Sequence, residues 1–337
     1  MTGKERLKKA WGGWLKIATA FIVTAILLLV MMICSMLVGG ISVSLGDIFR
    51  GIFVEYNRDV AIVVELRFPR IFVSLLGGAA MAVSGVLLQA VMRNPLADPG
   101  IIGISSSSAF FAVLVTAFLP AISFLAPVFS FIGGFLAFII VYVLAIKGGM
   151  SNTRLILIGL AVSTFFTALN SAFGQLTGGN SYAQSIVDGI IKSKTWDDVL
   201  VMAISVAVGA VLCLFCVKRC NILSLSDRLA GSIGINVPRS RFAISAVAVL
   251  LSAASTAIIG AVSFLGLIVP HIARLLVGND HKKLIPYSAI LGAFVFLAAD
   301  TFGRWIAYPY EISASILMAV VGGPVFIFLL LRSKKYV

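Results

Sequence analysis

Charged side chains stand at helical spacing at two places in this sequence. Arg67 and Arg70 are three positions apart at the predicted entrance of an apolar helix, and Asp300 and Arg304 are four apart within another. Residues at these spacings share one face of a helix. The two arginines could bind the carboxylates of a partner, or they could anchor the helix at a membrane interface. Asp300 could be neutralised by Arg304, or it could relay protons.

A polar stretch of eight residues interrupts two apolar runs. It has the sequence RNPLADPG from Arg93 to Gly100, and the four serines Ser105–Ser108 follow it closely. Its two prolines exclude an ordinary helix, because each lacks an amide donor and pushes the preceding residue toward an extended conformation. The stretch could be a surface turn. Polar, non-helical backbone is also tolerated at a membrane where protein or water surrounds it, so a pathway constriction is the alternative.

The sequence does not point to a metal site or to an enzyme. Cys213, Cys216 and Cys220 fall at helical spacing, and apolar packing explains them better than a metal or iron–sulfur cluster, because a fourth ligand is not evident nearby. His271 is interpreted as a packed or hydrogen-bonded residue rather than as a metal ligand. A glycine-rich loop ending in Gly-Lys-Ser/Thr is absent, so ATP hydrolysis by this chain is not expected.

The composition is that of a polytopic membrane protein. Of 337 residues, 60% are hydrophobic and only 12% are charged, and the mean hydropathy of +1.10 lies outside the range of soluble globular proteins. The net charge of +13 comes from basic residues in short clusters between apolar runs. That pattern is typical of loops on one side of a bilayer and argues against a nucleic-acid partner.

Apolar runs predict ten membrane crossings, including a retained first crossing after the basic N-terminus. In the second of them, small residues recur four apart, Gly78 with Ala82 and Ala80 with Ser84, so this helix is predicted to pack in the interior of the bundle. The predicted crossings are 17–38, 70–92, 104–119, 122–146, 154–173, 197–217, 242–262, 263–279, 284–305 and 312–331.

The distribution of basic residues predicts the orientation. With the N-terminus in the cytoplasm, 19 of the 26 lysines and arginines fall on the inner side. This satisfies the positive-inside rule and predicts that both termini are cytoplasmic. No linker or soluble domain is visible in the sequence, so residues 1–337 are expected to form a single transmembrane domain.

Two inner loops carry further candidates. In the longest, about 218–241, residues 223–234 predict a short amphipathic helix that ends at glycine and could lie on the membrane or dock into a partner. Before the fifth crossing, Asn152 and Thr153 could cap the helix. Farther along that crossing, Asn170 and Gln175 could line a polar pathway or form interhelical hydrogen bonds.

The motifs RFPR at 67–70, SGVLLQ at 84–89, RNPLADPGIIGISS at 93–106 and GLIVPHIAR at 266–274 resemble those of the FecCD-type permeases. These are the membrane subunits of importers for iron–siderophore complexes, haem and vitamin B12. The resemblance spans nearly the whole chain. It implies an all-α type II ABC importer permease fold with about ten transmembrane helices, in a bacterial cytoplasmic membrane.

The resemblance also implies partners and site residues. A second permease subunit, identical or related, two ATPase subunits and an extracytoplasmic binding protein are expected, with ATP and Mg on the ATPase and no cofactor bound by this chain. The implied docking residues for the binding protein are Arg67, Arg70 and Arg304. The implied cytoplasmic gate comprises Asn94, Pro95, Leu96, Asn152 and Thr153, and the implied ATPase-coupling residues are Asp227, Ala230, Gly231 and Gly234.

Two classes of function are expected from these observations. The first is ATP-driven import of a ferric siderophore by alternating access, with haem or vitamin B12 as the alternative cargo within the family. The second is a secondary transporter driven by an ion gradient, in which Asp300 would be the coupling acid. The glycines of the long inner loop and the family motifs favour the first.

Overall fold

The computed structural model describes residues 3–39, 44–53, 58–146, 152–176, 186–225 and 227–332, and in these ranges it contains helices and no strand. Within these ranges, twelve α-helices of six or more residues and one 3₁₀ helix, Pro120–Leu125, follow one another. The α-helices are α1 (Gly3–Leu37), α2 (Leu45–Phe53), α3 (Arg58–Met92), α4 (Ile104–Phe118), α5 (Ala126–Ile146), α6 (Asn152–Leu176), α7 (Trp196–Leu223), α8 (Asp227–Ser232), α9 (Val237–Ile259), α10 (Leu265–Val277), α11 (His281–Ile306) and α12 (Ala314–Arg332).

The all-helical membrane fold predicted from the sequence is confirmed, because each predicted crossing coincides with an apolar helix. Within the described ranges, seven helical stretches are long and apolar enough to cross a membrane: Gly13–Leu37, Val60–Met92, Pro120–Ala145, Thr153–Leu176, Trp196–Leu223, Val237–Ile259 and His281–Ile306. The other three predicted crossings correspond to shorter apolar helices: Ile104–Phe118, Leu265–Val277 and Ala314–Phe328.

Two predicted boundaries are wrong. Helix α3 begins at Arg58, so Arg67 and Arg70 lie inside it and not at its entrance. The charged residues before the apolar stretch suggested a loop, but these residues are helical too, and the helix contains Pro69. Helix α7 runs on to Leu223 and α9 starts at Val237, which shortens the predicted 218–241 loop to 224–236.

Helix α3 is the centre of the bundle, as its small residues predicted. Its most apolar window is 78% buried, and it packs against α1, α7, α9, α10 and α11. A Cβ added at Gly78 would clash with the carbonyl oxygen of Gly292, and one added at Gly85 would clash with that of Gly266. Only glycine permits such close backbone approach, which brings α10 and α11 directly against α3.

The helices at the edge of the bundle expose apolar surface. The corresponding window is 6% buried in α1 and 22% buried in both α6 and α7. Exposed side chains on these helices include Leu29, Leu160 and Leu214. Such extensive apolar exposure fits contact with lipid tails, since a soluble protein rarely exposes large apolar patches.

Two non-helical segments meet inside the bundle. One, residues 93–103, joins α3 to α4, and the other, residues 260–264, joins α9 to α10. A Cβ on Gly100 of the first segment would lie 3.5 Å from the Cα of Ser263 in the second. A Cβ on Gly266 would lie 2.9 Å from Oδ2 of Asp98. The predicted break after α3 therefore packs against a second break.

Candidate transport pathway

At one end of the bundle, called the arginine end below, Arg70 of α3 faces Asp300 of α11. Nε of Arg70 lies 3.0 Å from Oδ2 of Asp300, and Nη2 lies 2.8 Å from Oδ1. The Asp300 side chain has no exposed surface, and that of Arg70 is 9% exposed. A bidentate arginine satisfies both oxygens of a carboxylate, which is what a buried acid requires.

The other two arginines of this end contact the last turn of α1 and the residue that follows it. Arg304 donates from Nη1 to the carbonyl oxygen of Val38 at 2.8 Å and from Nη2 to Oγ of Ser35 at 2.5 Å. Arg67 donates from Nη1 to the carbonyl oxygen of Met36 at 2.5 Å. Carbonyl groups at a helix C-terminus carry partial negative charge, so they suit these cations. All three predicted docking arginines are thus brought together, but buried.

The arginine end also contains an acid that sequence reasoning missed. Oε2 of Glu311, in the segment between α11 and α12, lies 2.8 Å from Nη1 of Arg70, and its side chain is 30% exposed. Nζ of Lys192 is 3.9 Å from the other oxygen of Glu311. The predicted pair of Asp300 and Arg304 is present at 3.4 Å, yet Arg70 is the closer partner of Asp300.

The segment 93–103 is shaped by its own polar side chains. Oδ1 of Asn94 accepts a hydrogen bond from the amide of Leu96 at 3.0 Å. Oδ1 of Asp98 accepts from the amides of Gly100 at 2.8 Å and Ile101 at 3.3 Å. Such side-chain turns give non-helical backbone its hydrogen bonds. Asp98 is completely buried, and this burial raises the pKa of its carboxyl to about 6, against the opposing effect of the nearby amides.

The serines after this segment mainly hold helices together. Ser108 and Ser130 exchange hydrogen bonds with each other's carbonyl oxygens at 2.9 and 2.8 Å, which joins α4 to α5. Asn170 of α6 donates from Nδ2 to the carbonyl oxygen of Ser106 at 3.0 Å. The interhelical interpretation of Asn170 is therefore confirmed, whereas Gln175 is exposed.

The predicted gate residues come from two places. Asn94 is buried and its Nδ2 has no hydrogen-bond partner among the described residues, whereas Pro95 is exposed. Leu96 is half-buried, and Thr153 is exposed in the first turn of α6. The side chain of Asn152 and the turn 147–151 lie outside the described residues. The gate assignment stays a prediction.

The opposite end of the bundle, the coupling end, carries the short helix α8. It begins at Asp227 and not at Leu223, which belongs to α7. It ends as predicted at glycine: Gly234 has φ 84°, and the amide of Ile235 donates to the carbonyl oxygen of Ala230 at 3.2 Å. This is a Schellman cap, in which glycine adopts the left-handed conformation without strain.

Helix α8 has one face toward the bundle and one face away from it. Ala230 has no exposed surface, whereas Leu229 is 55% and Ile233 59% exposed. Gly231 is exposed, and a Cβ there would meet nothing within 4 Å. The face turned away from the bundle thus presents apolar side chains to a partner or to the membrane surface.

Three cysteines pack inside the bundle, and one histidine side chain forms a hydrogen bond, in the part of the chain that the structure describes. Cys213, Cys216 and Cys220 are buried and free. Nδ1 of His281 lies 2.7 Å from Oδ1 of Asn221. Among the described residues, no group of three His, Cys, Asp or Glu side chains is placed to hold a metal ion.

Comparison with known proteins decides the family. The model of the FecCD transport family matches residues 27–332. The chain belongs to this family. It is therefore the permease of an ABC importer, which is a transport subunit and not itself an enzyme, in a multi-pass arrangement in a bacterial cytoplasmic membrane.

Relatives of this FecCD permease include proteins named for haem-iron transport. It is 39% identical over 315 residues to the "Probable heme-iron transport system permease protein IsdF" of Staphylococcus aureus strain bovine RF122, covering 94% of this chain and 96% of the relative. IsdF of strain Newman is 38% identical over the same length.

Solved structures show the same architecture. A metal-chelate type ABC transporter in an inward-facing conformation matches with a TM-score of 0.76 and 29% identity, over 94% of this chain and 99% of that one. PsaBC from Streptococcus pneumoniae, in complex with Fab, has a TM-score of 0.55 and 17% identity over 85% and 95% of the two chains, so it supports the fold alone. The FecCD permease thus acts within a transporter complex.

Membership of the FecCD family favours the ATP-driven reading over the ion-gradient alternative. That alternative required Asp300 as a coupling acid, which would have to gain and lose protons. In the structure the carboxylate contacts two guanidinium groups and has no exposed surface. Its geometry suits a structural ion pair.

Proposed function

We propose that this permease carries haem across the cytoplasmic membrane by ATP-driven alternating access. The observation that supports haem as the cargo is the 38–39% identity to IsdF over 94% of the chain. Haem and vitamin B12 were the alternative cargoes expected from the sequence, and these named relatives favour haem over a ferric siderophore. Two permease subunits, identical or related, would enclose the path, with a binding protein outside and two ATPase subunits at the coupling end.

The binding protein is proposed to dock at the arginine end, on the surface formed by Arg67, Arg70 and Arg304. Support comes from the convergence of the three positive charges on one site. Because each is only 6–8% exposed, an incoming carboxylate must displace an internal partner. Glu311 is the candidate for displacement, since its side chain is 30% exposed and it contacts only one edge of Arg70.

The gate is proposed to lie in the segment 93–103 together with the start of α6. Support comes from the contact between this segment and α6 two to three turns after its start: a Cβ on Gly159 would lie 2.8 Å from the carbonyl oxygen of Ile101, and Oγ of Ser163 donates to the carbonyl oxygen of Gly100 at 3.3 Å. A non-helical segment packed against a helix can move without breaking a helical hydrogen-bond ladder.

The ATPase is proposed to seat against α8, with Asp227, Ala230, Gly231 and Gly234 as its coupling residues. The exposed apolar side chains Leu229 and Ile233 would enter a groove of the ATPase, and Ala230 would keep the helix close to the bundle. The positive-inside pattern supports a cytoplasmic position for this end.

The cargo can be tested by uptake into bacterial cells that lack this permease. Wild-type permease should restore accumulation of ⁵⁵Fe-labelled haem, and ⁵⁵Fe-labelled siderophore uptake should not depend on it. Because the structural relative is a metal-chelate type transporter, a ferric siderophore is the alternative cargo that this experiment must distinguish from haem. Restoration of siderophore uptake without haem uptake would overturn the haem assignment while leaving the importer intact.

A further inference from the structure

Arg93 has a backbone conformation that its side chain disfavours. It follows the last residue of α3 with φ 48°, in the left-handed region. The amide of Asn94 donates to the carbonyl oxygen of Gln89 at 3.3 Å, five residues back, as at a Schellman cap. Glycine is the usual residue at this position, and the chain uses Gly234 in the equivalent place after α8. A residue other than glycine that is held in such a strained backbone conformation needs a structural explanation.

The reason is visible in the contacts of the guanidinium group. Nε of Arg93 donates to the carbonyl oxygen of Leu223, the last residue of α7, at 2.7 Å. Nη2 lies 2.6 Å from Oδ1 of Asp227, the first residue of α8, and it also donates to the carbonyl oxygen of Leu225. One side chain thus joins the end of α3 to both sides of the short connection between α7 and α8.

The same carboxylate reaches a second helix. Oδ1 of Asp227 lies 3.1 Å from Nη2 of Arg241, which is 7% exposed near the start of α9. Asp227 is therefore held between the end of α3 and the start of α9, the two helices with the highest buried fraction among the seven long apolar stretches of the described ranges. Only the planar fork of arginine offers donors in the right directions for two carbonyl groups and a carboxylate together.

On the chain, Arg93 directly precedes the candidate gate. Asn94 follows it, and the turns made by Asn94 and Asp98 fix the path of the backbone from there to Gly100. These hydrogen-bonded turns connect the Arg93 backbone to the rest of the segment with little freedom to extend. A displacement of α8 that pulls on the Arg93 side chain must therefore move the segment, or else break the contacts.

We propose that Arg93 is the positioning residue that transmits the movement of α8 to the segment 94–100. The inference rests on the proposed coupling role of α8, and it adds the connection between that helix and the gate. Arg93 need not contact cargo or ATPase for this role. Its loss should leave ATP hydrolysis running without a matching movement of the gate.

The test compares cargo transported per ATP hydrolysed in the complete reconstituted transporter. Arg93→Gly removes the side chain and suits the left-handed backbone, whereas Arg93→Asn tolerates that backbone without the freedom of glycine. Both variants should keep ATPase rates within about twofold of wild type and should lower transport per ATP by about tenfold or more. An equal loss in both assigns the effect to the side chain.

Arg239→Ala is the matched control, because Arg239 is an exposed arginine at the same end of the bundle. This variant should leave the amount of cargo transported per ATP hydrolysed unchanged. The cargo is haem or, if wild type does not carry haem, a ferric siderophore, so the test does not depend on the cargo assignment. A wild-type ratio in Arg93→Gly would overturn the proposal, as would a parallel loss of ATPase activity and thermal stability, which indicates a purely structural role.

Discussion

Arg70 and Asp300 form a bidentate ion pair across 230 positions of the sequence, with contacts of 2.8 and 3.0 Å. The pair links the central helix α3 to α11, which are also joined by the close approach of Gly78 to Gly292. Two of the predicted docking arginines, Arg70 and Arg304, contact this one buried carboxylate. Any test of docking must therefore first separate recognition of the binding protein from folding.

Asp300→Asn should destabilise the permease strongly. The variant keeps the shape of the side chain but leaves the buried guanidinium of Arg70 without its main counter-charge, a loss of about 3–5 kcal/mol in unfolding free energy. Thermal unfolding in detergent measures it. Glu311→Gln is the matched control, because that side chain is 30% exposed and its loss should cost about 1 kcal/mol or less. Equal losses in both variants would contradict the buried-pair account.

Glu311→Gln should strengthen binding of the extracytoplasmic binding protein. Removing this charge leaves Nη1 of Arg70 available for an acidic side chain of the partner, since the Glu311 carboxylate occupies it at 2.8 Å. Affinity for the permease, measured by surface plasmon resonance in nanodiscs, should rise several-fold at low salt, and the gain should shrink as salt screens the charges. Weaker binding would mean that Glu311 itself belongs to the docking surface.

The local sequence pattern was sufficient to predict the helices but not the ion pairs between them. The apolar runs predicted ten crossings, the small residues predicted a buried α3, and the glycine predicted the end of α8. Asp300 was paired with Arg304 because spacing along one helix is readable. Its closer partner, Arg70, depends on how α3 and α11 pack, and that packing is a property of the whole bundle.

The break after α3 illustrates the same limit. Two prolines predicted a non-helical segment, and the structure has one. The left-handed conformation of Arg93 could not be predicted, because that residue type gives no sign of it and the stabilising carbonyl groups lie some 130 positions away. The polar stretch and the serines after it were interpreted as a surface turn or a pathway constriction, yet Ser108 exchanges hydrogen bonds with the backbone of Ser130 in α5.

Asp98 should make stability depend on pH. The pKa of its carboxyl in the folded state, about 6, lies above the ordinary 3.8. The stabilisation that the protonated carboxyl gives the folded state is therefore fully present below about pH 4 and is lost as the pH rises through 6. Asp98→Asn cannot ionise. The melting temperature of the variant relative to wild type should therefore rise between pH 4.5 and pH 7. A difference that stays constant over this range would contradict the assignment.

Two glycines of the coupling end should respond differently to alanine. Gly234→Ala forces a side chain into φ 84°, which should cost about 1–2 kcal/mol and distort the end of α8. Gly231→Ala meets nothing within 4 Å inside a helix, so it should be neutral or stabilise by up to about 1 kcal/mol. Stimulation of the ATPase by loaded binding protein should fall in both variants: in Gly234→Ala because the end of α8 is distorted, and in Gly231→Ala because the added methyl group lies on the side proposed to seat against the ATPase. Unchanged stimulation in Gly231→Ala would remove Gly231 from the coupling residues.

The most direct test of the account is haem transport by the purified complex in proteoliposomes. The permease, its ATPase and its binding protein are reconstituted, and haem accumulation is followed with ATP inside or with an imposed proton or sodium gradient alone. The account predicts accumulation that requires both hydrolysable ATP and the binding protein, and none with the gradient alone. Accumulation driven by the gradient without ATP, or ATP-driven transport of a ferric siderophore but not of haem, would contradict it.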